Sequence, residues 1–275
     1  MIKNDLNFDE LNIKTENGLI SVNYFKGSPT YIMIHGLGGS KKLFEEAFKA
    51  NINFGWGILT IDLLGFGESE KNKKTENYSL YNQSSSILDV INFLEIKHHY
   101  LVTHSMTTAL LPYLLKKNKE IIGIIMLEGN LIKEDAQWSK KISGFTDDEF
   151  EKHVSNLKEH APKILSLQLH SNLDTGKIED CSKSFREMDS EAFRVLAKET
   201  YQMTYSDQII EQLKKYQGLK SYWRGSESEF WNGKNIINEI NSQYNILENS
   251  LHYLMLDNPK ELYYSIYNYA YKNNI

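Results

Sequence analysis

Three segments of the chain hold residue types that can act together on a carbonyl group. Thr103-His104-Ser105-Met106-Thr107 sets a serine between an apolar run, 99–104, and a helix-like pattern that starts at 106. A serine on a sharp strand-to-helix turn has its hydroxyl lifted above the sheet, and the next amide sits at a helix N-terminus, where negative charge is favoured. The same spacing also describes a plain N-cap serine, so Ser105 needs partners before it means catalysis. His35-Gly36-Leu37-Gly38-Gly39-Ser40 follows a second apolar run, 30–35, and offers flexible backbone whose N–H groups can face a developing anion. Ser250-Leu251-His252-Tyr253 falls in a loop between the last strand-like run and the final helix-like pattern. The chain order of glycine loop, serine turn and late histidine brings an anion-binding loop, a nucleophile and a base to one edge of a parallel sheet.

Other chemistries fail on spacing. A dinucleotide-binding G-x-G-x-x-G that starts at Gly36 meets Lys41 where the last glycine belongs, and one that starts at Gly65 meets Glu70. No glycine stands five residues after Gly36 or Gly38, so a phosphate-binding G-x-x-x-x-G-K is excluded as well. His98, His99, His153, His160 and His170 lack the spacing of a metal site, and no metal or cofactor is expected.

The elements that must position these residues follow from hydropathy. Short apolar runs predict strands over 9–15, 18–25, 30–35, 57–62, 99–104, 121–127, 218–224 and 244–248. Helical periodicity marks 41–50, 79–95, 106–117 and 258–273. Alternation of this kind is the signature of an α/β fold with a mostly parallel, doubly wound sheet of about eight strands. Between 131 and 215 strand-like runs vanish and helix-like stretches follow one another (134–142, 147–160, 185–200, 206–216). The expected organisation is therefore a core of 1–130 and 216–275 interrupted by a helical cap or lid, 131–215; a surface excursion with no role toward substrate is the alternative. Pro112 is expected to kink the helix it falls in.

Composition narrows the partners. The 275 residues carry 31 basic and 36 acidic side chains, for a net charge of −5, with no dense Lys/Arg block. Nucleic-acid binding, which needs clustered positive charge, is not expected. No stretch approaches the length of a membrane span, and Lys3, Asp5, Asp9 and Glu10 break any signal-type apolar segment near the start. One cysteine, Cys181, makes no internal disulfide, so the expected home is the cytoplasm.

With these blocks in hand, the chain resembles the α/β-hydrolase family of esterases, lactonases and carbon–carbon bond hydrolases. The matching pieces are HGLGGS (35–40), DLLGFGES (62–69), THSMTT (103–108) and SLHYLMLDNPKELY (250–263). The resemblance implies that Ser105 is the nucleophile, that His252 is the general base and then acid, and that the amides of Leu37 and Met106 form the oxyanion hole. It implies a small-molecule ester, thioester or lactone as substrate, while Asp62 reads as a structural loop residue. Two departures from the family pattern stand out: threonines, Thr103 and Thr107, take the places of the glycines of G-x-S-x-G, and Ser228 stands where G-x-x-D would put the acid. Two carboxylates remain, Glu128 at the end of the strand 121–127 and Glu227 in the loop after 224. Rigid placement favours Glu128, which in its structural alternative merely anchors the cap. Trp138 either lines an acyl pocket or packs in the core. A carbon–carbon bond hydrolase and a non-catalytic ligand receptor on the same fold are the competing functions.

Overall fold

Period-two alternation along each central strand sends apolar side chains to both faces of one sheet, as expected of strands covered by helices on either side. The computed structural model describes residues 8–51, 55–71, 74–170, 173, 175–229, 231 and 233–272. Its strands are β1 (Asp9–Lys14), β2 (Leu19–Phe25), β3 (Thr30–Ile34), β4 (Gly57–Ile61), β5 (His99–His104), β6 (Ile121–Leu127), β7 (Leu219–Gly225) and β8 (Gln243–Leu247). Each lies within one residue of its expected bounds. They form a single sheet in the order β1-β2-β4-β3-β5-β6-β7-β8. The first two pairings are antiparallel and all others parallel.

Helices α1 (Glu45–Ala50) and α12 (Pro259–Lys272) cover one face, where Phe48, Leu262, Tyr263 and Tyr267 pack on Tyr31, Met33 and Val102. Helices α2 (Leu80–Phe93), α3 (Leu111–Lys117) and α9 (Gln208–Lys215) cover the other, where Ile87, Ile91, Leu114 and Leu213 meet Ile32, Ile34 and Leu101. The apolar area buried on the two faces is the main favourable term holding the sheet and its flanking helices together.

The stretch between β6 and β7 also holds α4 (Gln137–Ser143), α5 (Asp147–Glu159), α6 (Ala161–Ser166), α7 (Thr175–Glu187) and α8 (Ser190–Tyr205). The short α6 and most of α7 lie outside the expected helices. The expected helix 185–200 is in fact two, because Asp189 caps α8: its carboxylate accepts from the amides of Glu191 and Ala192, and its own amide donates to the carbonyl of Gly65. Short α10 (Lys234–Glu239) and α11 (Leu254–Asp257) were not marked by periodicity, since one turn offers too few positions to show a period. Pro112 does not kink a helix. Residues Ser105–Leu110 form a 3₁₀ segment and α3 starts afresh at Leu111, so Pro112 falls in a first turn, where no amide donor is needed.

Helices of this block touch the loops that follow β3, β4 and β5. Ser184 Oγ donates to the Gly38 carbonyl at 2.8 Å, the Phe185 ring presses on Gly38, and Tyr78 Oη donates to Asp189 at 2.9 Å.

Candidate active site

Ser105 opens the 3₁₀ segment directly after β5 and has φ +54, a left-handed conformation that costs a non-glycine residue roughly 1–3 kcal/mol. A serine placed there for capping alone has no need of that strain. The Asn130 amide donates to the Ser105 carbonyl at 3.2 Å and pins the turn from the loop after β6. The threonines that replace the expected glycines are absorbed by hydrogen bonding. Thr107 Oγ1 accepts from the His104 amide at 3.0 Å and lies within reach of the carbonyls of Ile34 and His104; Thr103 Oγ1 lies 3.3 Å from Thr108 Oγ1. Close approach is provided instead by glycines in the loops after β3 and β6. A Cβ on Gly36 would stand 2.8 Å from His104 Nδ1 and 3.1 Å from Ser105 Cβ, and one on Gly129 would stand 2.4 Å from Thr108 Oγ1.

The loop after β3 is held from beneath. His35 donates through Nδ1 to the Gly36 carbonyl at 2.8 Å and accepts the Leu63 amide on Nε2 at 3.1 Å, and burial lowers its pKa against the opposing pull of Asp62. Asp62 accepts the amides of Lys41 (2.6 Å) and Glu68 (2.9 Å) and pairs with the buried Lys41 ammonium at 3.4 Å, the structural role expected of it. The Leu37 amide is not spent on any backbone carbonyl among the described residues. Met106 follows Ser105 in the first turn of the 3₁₀ segment, where amides have no partner within the helix.

His252 stands between β8 and α11 with its side chain 35% exposed. The neighbouring His104, not singled out by sequence, donates through Nε2 to the His252 carbonyl at 2.9 Å, and the two rings lie 4.8 Å apart. His104 is fully buried. Desolvation, helped by the nearby His252, drops its pKa well below the usual histidine value. It therefore stays neutral and serves as a fixed donor.

Glu128, with φ +47, directly follows β6 beside the serine strand. Its Oε1 accepts from the Gly225 amide at 2.8 Å and from Ser228 Oγ at 2.7 Å; its Oε2 faces Arg224 Nη1 at 3.5 Å and His252 Nδ1 at 3.9 Å. The second distance is longer than a hydrogen bond. Burial works to raise the carboxyl pKa, but the His252 ring, Arg224 and the Ser228 hydroxyl together hold it below the usual glutamate value. Glu227 is exposed, and no ion pair joins it to His252 among the described residues. Arg224 and Ser228 as partners of Glu128 were missed because the β6–β7 register, Leu127 opposite Trp223, decides them.

The family profile of the alpha/beta hydrolase fold matches residues 29–259, most of the chain. The chain belongs to the α/β-hydrolase fold family.

No match is found among curated protein sequences. Among solved structures, this α/β hydrolase is similar to an esterase from Exiguobacterium antarcticum, with a TM-score of 0.75 at 18% identity over 95% of this chain and 99% of the other. It is also similar to a putative aryl esterase from Burkholderia cenocepacia, with a TM-score of 0.76 at 16% identity over 96% and 98%. A haloalkane dehalogenase from Agrobacterium tumefaciens C58 superposes with a TM-score of 0.77 at 14% identity over 96% and 97%. At these identities the likeness is one of fold, and a fold by itself does not fix an activity.

In this α/β hydrolase, Ser105, His252, His104, Gly36 and Leu37 line one small cavity of about 40 Å³, closed by Trp138 and Gln168 from the helical block. A larger cavity of about 420 Å³ lies beyond His252 and is lined by Glu128, Ser228 and Arg224. No helix of the described residues is long and apolar enough to cross a membrane.

Proposed function

We propose that the protein is a serine hydrolase that cleaves a carboxylic ester, thioester or lactone through an acyl-enzyme on Ser105. His252 takes the Ser105 proton as the hydroxyl oxygen attacks the carbonyl carbon. The amides of Leu37 and Met106 receive the oxyanion, one such donor being worth about 3 kcal/mol in the barrier. His252 then gives the proton to the leaving alkoxide, and water, activated by the same ring, releases the acid. Glu128 holds the imidazole in the tautomer with Nδ1–H toward the carboxylate and stabilises the imidazolium without taking the proton itself. Helices α4–α8 act as the cap, and the substrate lies between them and the strand ends.

The observation that supports this most is the strained Ser105 sharing a cavity with His252 while a buried carboxylate held ionised faces the far ring nitrogen. A serine at the nucleophile position, rather than an aspartate, disfavours alkyl-enzyme chemistry of the dehalogenase kind. A fluorophosphonate probe tests the reading: stoichiometric labelling of Ser105, abolished in Ser105→Ala, is expected. An unlabelled, folded wild-type protein points to a ligand receptor instead.

A further inference from the structure

Resting on that reading, we infer that the substrate is an ester of a very short acyl group, acetyl in size, with a polar alcohol, and that Trp138 sets the acyl limit. The cavity at Ser105 measures about 40 Å³, a small fraction of the several hundred Å³ usual for a ligand pocket. So confined a space beside the serine suits a carbonyl carbon, its oxygen and one methyl group better than a longer acyl chain.

The walls cannot yield easily. The Trp138 indole packs edge-on against Phe193 (5.4 Å) and His153 (6.4 Å), which fixes its ring from behind. Leu43 and Tyr253, both buried, line the same cavity together with Gly36 and Gly39. A longer acyl chain would have to displace one of these packed groups, and packed interiors resist added methylenes.

Space for the rest of the substrate lies past His252. The 420 Å³ cavity shares His252 and Gln168 with the acyl cavity and is open to solvent at the exposed Leu167. Its lining is rich in hydrogen-bonding groups: Asn130, Asp135, Gln137, Arg224 and Glu229. The leaving oxygen takes its proton from His252 Nε2, the nitrogen turned to Ser105, and the rest of the alcohol passes the ring beside Gln168, which both cavities share. A polar alcohol finds partners there, whereas an alkyl alcohol would strip water from those groups without replacing their hydrogen bonds.

The test is the kcat/KM of the wild-type protein on p-nitrophenyl acetate, butyrate and octanoate, and on glyceryl triacetate against hexyl acetate. Each added methylene in a closed pocket costs about tenfold. The expected profile therefore falls by about a hundredfold from acetate to butyrate, and glyceryl triacetate is preferred over hexyl acetate. Trp138→Ala raises the butyrate-to-acetate ratio by at least tenfold, and Trp138→Leu, which keeps a bulky apolar group for the block to pack on, raises it less. A flat chain-length profile, a ratio unmoved by either folded variant, or a preference for hexyl acetate overturns the inference while Ser105 labelling by fluorophosphonate still upholds the hydrolase. Absence of that labelling overturns both.

Discussion

Replacing Glu128 by glutamine isolates what its charge does, because the amide is nearly isosteric with the carboxylate. The amide oxygen can keep the Oε1 bonds from the Gly225 amide and Ser228 Oγ, now at 2.8 and 2.7 Å, so the loop after β7 stays in place. The NH₂ group then takes the Oε2 position, facing Arg224 Nη1 at 3.5 Å and His252 Nδ1 at 3.9 Å. A donor now faces donors. The imidazole is driven to the tautomer with Nε2–H, which cannot accept the Ser105 proton. Loss of the correct tautomer with geometry intact costs about 10³–10⁴ in kcat, or roughly 4–5.5 kcal/mol of barrier. Glu227→Gln, a change on an exposed side chain, leaves kcat within about twofold. Turnover of one acetate ester by both variants, with thermal melts to check that each is folded, makes the comparison. A folded Glu128→Gln that keeps more than a tenth of wild-type kcat would falsify its role, and a larger loss in Glu227→Gln would transfer that role to Glu227.

Two further predictions follow from the same geometry. Ser228 Oγ lies 2.7 Å from Glu128 Oε1, so Ser228→Asp placed on Glu128→Gln returns a carboxylate to the neighbourhood of His252 and is expected to recover at least tenfold of the lost kcat; no gain in a folded double variant would place the His252 partner elsewhere. His104 is held neutral by burial, with its folded pKa well below the 6.5 of the unfolded chain. Below pH 6.5 the unfolded state therefore binds the proton that the native state refuses. The contribution of His104 to stability is present above that pH and is lost as pH falls, by about 1.4 kcal/mol per pH unit. Denaturant melts between pH 7.5 and 5.5 should show a shallower acid decline for His104→Gln, and parallel curves would remove His104 from the account.

Much of this was legible in one dimension. The eight strands, the helical block between β6 and β7 and the places of Ser105 and His252 follow from local signals: period-two and period-3.6 hydropathy, glycine-rich turns and a serine between strand and helix. Such signals survive in sequence because backbone geometry and burial act residue by residue. Helix boundaries within the block were less readable. Asp189 ends one helix and begins another through a contact with Gly65, more than a hundred positions away.

Only the tertiary structure decided how the parts meet. Threonines at 103 and 107 are compatible with the sharp turn because Gly36 and Gly129, in the loops after β3 and β6, let the backbone come close to His104, Ser105 and Thr108. The His252 backbone is held by His104, 148 positions earlier in the chain. Glu128 stands apart from Glu227 because the parallel register of β6 against β7 sets it beside Arg224 and Ser228 and in front of His252. Strand register and side-chain direction across a sheet depend on contacts between distant segments, and those contacts leave no period in the sequence to read.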